Sequence, residues 1–149
     1  MLSGRLIRVI ENHEEEITNT VVAAIRRHPE LTHLRNLRDL ELRERCREIL
    51  KNLGHWLLRG NEEELDGKYE AIGKLRFEES IPLDECVLGL CILKYKMIAF
   101  LDDQGIEPDT LALYARGELL RRIGPFFDLL VVHLVRGYED AERISARVA

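Results

Sequence analysis

Histidine is the side chain best suited to bind a transition metal or carry a proton near neutral pH, and this chain has five: His13, His28, His33, His55 and His133. No two of them have i, i+3 or i, i+4 spacing, and there is no His-Glu-x-x-His. A zinc or di-iron site would have to be assembled from distant segments, so no metal ion and no cofactor is expected. His13 falls on an apolar helical stripe and reads as a core histidine with one hydrogen bond. His28 and His33 flank Pro29 in a connection and read as solvated groups or helix-end caps. His55 precedes Trp56 near a helix end. His133 lies inside an apolar run, where a charged imidazole would be costly.

The other reactive side chains are no better placed. A catalytic acid needs burial or a charged neighbour to tune it. The runs Glu14-Glu15-Glu16 and Glu62-Glu63-Glu64 spread over most of a helix circumference, so they read as solvated surface. Cys46, Cys86 and Cys91 are odd in number and fit no metal or redox spacing. They read as small apolar thiols in a reduced, cytosolic compartment. No cysteine is adjacent to a histidine, and there is no Gly-x-Ser-x-Gly, no Gly-x-Gly-x-x-Gly and no phosphate-binding loop. The chain is not expected to be an enzyme.

The bulk properties narrow the remaining classes. A chain of 149 residues forms one ordinary domain and buries roughly 70% of its unfolded surface. With 46% hydrophobic and 33% charged residues it is globular with a well-solvated exterior. A net charge of -5 speaks against nucleic acid as a partner. No apolar run approaches the ~20 residues of a membrane span, and no signal peptide is read at the N-terminus.

The elements that would position these residues are helices throughout. Sustained period-2 alternation is absent, whereas helical period runs between the marks Pro29, Gly60-Asn61, Pro82, Gly105 with Pro108, and Gly124-Pro125. The first helix covers about Ser3 to His28, with Leu6, Ile10, His13, Ile17, Val21, Ala24 and Ile25 on one face. A second runs from Asp39 to Gly60, with Leu42, Cys46, Ile49, Leu50, Leu53, Trp56 and Leu57 as its stripe. Asn61 caps the third, whose stripe is Leu65, Tyr69, Ile72 and Leu75 or Arg76. The fourth opens at Ile81-Pro82, runs to about Asp103, and is apolar on nearly all sides. Asp109 caps the fifth, and Gly124-Pro125 forces a kink or a break before the sixth. Gly54, Gly73, Gly89 and Gly117 fall inside helices, so close helix contacts are expected to compensate for them.

Two helices that are apolar all round are hard to cover within one small subunit. A homodimer using part of the fourth, fifth or sixth helix is therefore expected. The competing reading makes these simply the central helices of a monomer.

The segment Tyr69 to Leu93, YEAIGKLRFEESIPLDECVLGLCIL, has a recognisable pattern. An aromatic is followed by Ile-Gly-x-x-Arg-Phe, an acidic pair, Ile-Pro-Leu, an acid and a long apolar helix. This resembles the RsbRD N-terminal domain family, the N-terminal domain of the RsbR-type co-antagonists of the bacterial stressosome. The resemblance implies an all-α, globin-like bundle of about six helices, one domain over residues 1–149, without haem, dimeric, and serving as a sensory or interaction module. Globin-coupled sensors share the related pattern Ile-Gly-x-x-His, whose histidine binds haem iron. Here that stretch is Ile72-Gly73-Lys74-Leu75-Arg76, so Arg76 stands at the ligand position. A guanidinium stays protonated and has no lone pair for iron.

Arg76 lies at the edge of an apolar stripe. It reads either as a boundary arginine paired with Glu79, Asp84 or Glu85, or as one wall of a pocket for a small anionic ligand. Tyr69, His55 and His133 are the other candidate pocket-lining residues. The resembled proteins carry a second, phosphate-accepting domain, whereas this chain ends at Ala149. It is therefore expected to be an isolated module or a piece of a longer protein, signalling through an unidentified partner protein. Its ligand, if any, is expected to be small and anionic or apolar. The leading expectation is a cytoplasmic, dimeric, non-haem sensory or interaction domain. The alternative is a haem-binding sensor using His55 or His133 as iron ligand.

Overall fold

Residues 3–58, 62–104 and 109–148 are described by a computed structural model. The Gly60-Asn61 turn, Gly105, Pro108 and the Glu62 side chain lie outside the described residues. Among the described residues seven α-helices follow in order: α1 (Gly4–Asn12), α2 (Glu14–Arg27), α3 (Asp39–Leu50), α4 (Leu53–Leu58), α5 (Glu62–Glu78), α6 (Leu83–Asp103) and α7 (Thr110–Val148). A 3-10 turn at Leu34–Asn36 precedes α3, and there is no strand among the described residues. The apolar stripes converge on one core in which Ile10, Ile49, Leu50, Leu53, Leu65 and Leu119 are fully buried. Each such side chain contributes about 1.5–3 kcal/mol of hydrophobic free energy.

Three expectations about helix ends are corrected. The expected first helix is two, because the chain leaves helical geometry at His13 (φ −114°, ψ 25°). Glu14, Glu15 and Glu16 then fill the first turn of α2, where the helix dipole favours carboxylates. His13 is consequently exposed rather than in the core. Its Nδ1–H donates to the Val9 carbonyl at 2.8 Å, and its ring lies 5.2 Å from Phe100.

The expected second helix is also two, α3 and α4, separated by Lys51 and Asn52. All seven residues assigned to its stripe are nevertheless buried. The Trp56 indole N–H donates back to the Glu48 carbonyl at 3.0 Å, which closes this corner.

The third correction concerns Gly124-Pro125, which does not break the chain. The expected fifth and sixth helices are one helix, α7, with Pro125 inside it. A proline here removes the bond to the Arg121 carbonyl. Arg121 and Pro125 both face solvent, where water can satisfy that carbonyl. Ile123, Phe126, Phe127 and Leu130 hold the flanking turns in the core. Tertiary packing thus overrides local propensity. The expected cap is in place: Asp109 Oδ1 accepts the Ala112 N–H at 2.7 Å.

α5 and α7 form the most extensive helix pair, and glycine makes their closeness feasible. A Cβ on Gly73 would stand 2.1 Å from the Leu134 carbonyl oxygen, and one on Gly137 would stand 1.9 Å from that of Glu70. The two backbones touch where neither has a side chain. Beyond this contact the Tyr138 hydroxyl donates to the Ile81 carbonyl at 2.8 Å, and its ring meets Phe77 edge-on. At the end of α5, Ser80 takes a positive φ of 60°. The N–H groups of Ser80 and Ile81 return to the carbonyls of Phe77 and Arg76, both at 3.0 Å. That turn delivers Pro82 to the start of α6.

Candidate functional site

Tyr69, Ile72 and Arg76 recur at helical spacing on α5 and are all buried. They face an apolar pocket of about 70 Å³. Val21 and Ile25 of α2, Leu42 of α3, Leu90 and Leu93 of α6 and Leu134 of α7 supply its apolar walls. Leu34 of the 3-10 turn, Cys46 and Arg45 of α3, and Cys86 and Gly89 of α6 complete the lining. Five helices therefore meet around this space.

Arg76 is its most constrained member. The side chain is 5% exposed, and Nη1 donates to Glu41 Oε1 at 2.6 Å and to Glu79 Oε1 at 2.8 Å. Arg76 is thus a buried group rather than a boundary one. Of the partners expected from spacing it takes Glu79, together with Glu41 of α3. Asp84 and Glu85 are engaged elsewhere. Asp84 Oδ1 accepts the Glu85 N–H. Glu85 Oε1 accepts the N–H groups of His33 and Leu34 at 2.9 and 3.0 Å, and Oε2 accepts the His33 ring N–H at 2.6 Å. Burial alone would raise the pKa of Glu85. Those backbone and ring hydrogen bonds outweigh it and hold the carboxyl below its usual range.

Glu41 and Glu79 grip Arg76 from the far side, where they help line an open cleft of about 370 Å³ with Arg38, Leu40, Glu44 and Leu75. Arg45 borders both spaces. The ion cluster is accordingly the wall between a charged outer cleft and an apolar inner pocket.

Inside the pocket the two thiols and the Tyr69 phenol are neutral. Burial pushes the Cys46 thiol up to about 12, with Arg43 opposing and Glu14 reinforcing. Burial likewise pushes Cys86 up to about 11 against the lowering field of Arg76. The Tyr69 phenol is raised by burial first and by Glu48 next. A thiolate nucleophile is therefore missing from this pocket at neutral pH.

The four candidate lining residues separate into two groups. Tyr69 and Arg76 line the pocket, whereas His55 and His133 do not. His55 sits on α4, with Nε2 3.6 Å from Glu64 Oε2 and its ring edge-on to Trp56. His133 braces α7 against α5: Nδ1 lies 2.9 Å from Glu70 Oε2 and Nε2 3.2 Å from Asp66 Oδ2. Among the described residues no group of three or more His, Cys, Asp and Glu side chains is placed to hold a metal ion. Nor is any helix there long and apolar enough to cross a membrane.

Sequence reasoning missed Glu41, Arg45 and the buried role of Glu85. Nothing local marks Glu41 or Glu85, because their partners are dozens of residues away.

The described residues form an all-helical, globin-like bundle with an apolar pocket and an arginine held by two carboxylates at its rim. The chain is a member of the RsbT co-antagonist protein rsbRD N-terminal domain family, whose model matches residues 15–149. That family comprises non-catalytic sensory domains of stressosome co-antagonists in bacterial stress signalling. No curated protein and no solved structure matches the chain.

Proposed function

We propose that this chain is a single non-haem sensory or protein-interaction domain over residues 1–149, cytoplasmic and homodimeric. A ligand or partner acts by shifting helix packing, and a second signalling protein reads the result. The observation that carries the non-haem reading is Arg76. At the position where the related haem sensors have histidine, this chain has a guanidinium that is buried and held by two carboxylates. It offers iron no lone pair.

Pocket size supports the same reading. An apolar cavity of about 150 Å³ takes benzene, and a haem macrocycle is several times larger than benzene. The space here is about 70 Å³. Adding haem to the purified protein is expected to produce no Soret band. A band that disappears in His55→Ala or His133→Ala would replace this reading with a haem sensor.

The dimer rests on apolar side chains left on the surface of α7 and α6. Leu111, Tyr114, Leu129 and Val132 are exposed along α7, and Tyr95 is 62% exposed on α6. Light scattering at micromolar concentration is expected to give twice the chain mass. A monomer there would remove the dimer and leave the rest of the proposal standing.

A further inference from the structure

The pocket beside Arg76 has a size, a polarity and a charge balance that restrict what can enter it. Scaled against the roughly 150 Å³ cavity that holds the six heavy atoms of benzene, a volume of about 70 Å³ suits three or four heavy atoms. A single water needs only about 10–15 Å³ and two to four polar partners. Here the walls formed by Leu42, Leu90, Leu93 and Leu134 offer it none, and among the described residues the Arg45 Nε–H is a single unpaired donor.

The charges exclude an anion. Arg76 is the cation nearest the rim, and it already faces both Glu41 and Glu79. That cluster carries one net negative charge. Arg45, the other cation of the lining, has Nη1 3.7 Å from Glu48 Oε2. What remains unspent is small: Arg45 Nε and Glu48 Oε1 are buried with no hydrogen-bond partner among the described residues. A carboxylate or phosphate entering this space would lose its hydration and meet no free positive charge. A neutral molecule has no such cost.

We propose that the pocket is a binding site for a small neutral molecule of about three or four heavy atoms, largely apolar and carrying at most one oxygen for the Arg45 Nε–H. A short alcohol and a short ketone fall in this class, and small carboxylates do not. The ligand touches α2, α3, α5, α6 and α7 together. Its affinity is therefore sensitive to any change in how these helices pack. The site deepens the sensory reading and takes its purpose from it, but its test is independent of signalling.

The test uses the full chain with methyl-labelled Ile, Leu and Val, and three probes: xenon, propan-1-ol and acetate. Xenon and propan-1-ol are expected to shift the methyl resonances of Val21, Leu90, Leu93 and Leu134 saturably. Acetate, with as many heavy atoms as propan-1-ol but charged, is expected to bind at least tenfold more weakly. Two variants fill the space. Gly89→Ala places a methyl 2.8 Å from Leu34 Cδ2, a side-chain end that can turn aside. Cys86→Leu enlarges another wall and serves on its own if the first variant does not fold.

Each filled variant, with its helical circular dichroism retained, is expected to lose at least tenfold in xenon affinity. Unchanged xenon shifts in a folded Cys86→Leu protein would overturn the site, as would acetate binding as well as propan-1-ol. Saturable binding of xenon that leaves the α7 amides unmoved would uphold the site while removing the sensory reading.

Discussion

The Arg76 guanidinium and the Glu41 carboxylate meet at 2.6 Å although thirty-five residues separate them in the chain. The bond joins α5 to α3 across the rim of the pocket, and Glu79, just past the end of α5, completes it. Removing one partner of a buried ion pair costs about 3–5 kcal/mol. Here the carboxylates left behind retain some water, with 21% and 28% exposure. Arg76→Ala is therefore expected to lower stability by about 2–3 kcal/mol, read as a lower urea midpoint with unchanged slope. Replacing the whole cluster, as Arg76→Leu with Glu41→Gln and Glu79→Gln, is expected to recover most of that loss. If the triple variant is weaker than the single one, the cluster is not the source of the effect.

The glycine contact between α5 and α7 predicts a sharp contrast within a single helix. Gly73→Ala and Gly137→Ala drive a methyl into a carbonyl of the facing helix. Overpacking of this kind costs about 1–3 kcal/mol and more where only backbone can yield. A domain of this size then loses roughly 2–4 °C of melting temperature per kcal/mol. Gly67, also on α5, has nothing within 4 Å of an added Cβ. Gly67→Ala is expected to raise stability by about 0.5–1 kcal/mol through helix propensity. Thermal melts of the three variants check both directions.

Acid is expected to weaken the junction of the 3-10 turn with α6 through Glu85. Its carboxyl is held below the usual range in the folded chain by the Leu34 and His33 N–H groups and the His33 ring. A depressed folded value means that stability is fully present above the unfolded value of about 4.3 and is lost as pH falls through the folded one. Glu85→Gln is expected to be less stable than the parent near neutral pH and to lose less on going to about pH 3.5. Parallel slopes for the two proteins would show that Glu85 does not set this dependence.

Cys46 and Cys86 are expected to resist alkylation in the native protein, because both are buried and held as thiols at about 12 and about 11. Cys91 is only half-buried and is expected to react first. The raised values also carry a sign. The unfolded chain releases these protons from about pH 8.5 upward while the folded chain keeps them. Stability therefore declines from there as pH rises. Mass spectrometry of timed iodoacetamide reactions orders the three thiols, and urea midpoints on the alkaline side test the decline.

How much of this could be read in advance divides along chain distance. The α5 face of Leu65, Tyr69, Ile72 and Arg76, the Asp109 cap and the start of α3 at Asp39 depend on neighbours three or four residues away, and the sequence displays them. So does the Arg76–Glu79 pair. The breaks at His13 and Lys51 and the unbroken passage through Pro125 are decided by what the helices pack against. Periodicity does not encode that. Glu41 and Glu85 act on groups thirty-five and more than fifty residues away, so nothing in the local pattern distinguishes them from other surface acids. Gly73 could be flagged as needing a close neighbour. Its counterpart Gly137 lies in a polar stretch that gave no reason to expect burial.

The Gly73–Gly137 contact also limits how α7 can move. Axial translation of α7 along α5 would replace each glycine with a residue bearing a Cβ, and that atom would collide with the opposing carbonyl. The contact therefore acts as a register lock: while these two backbones touch, the long helix cannot glide past its neighbour, and any rearrangement of the bundle has to carry α5 and α7 together.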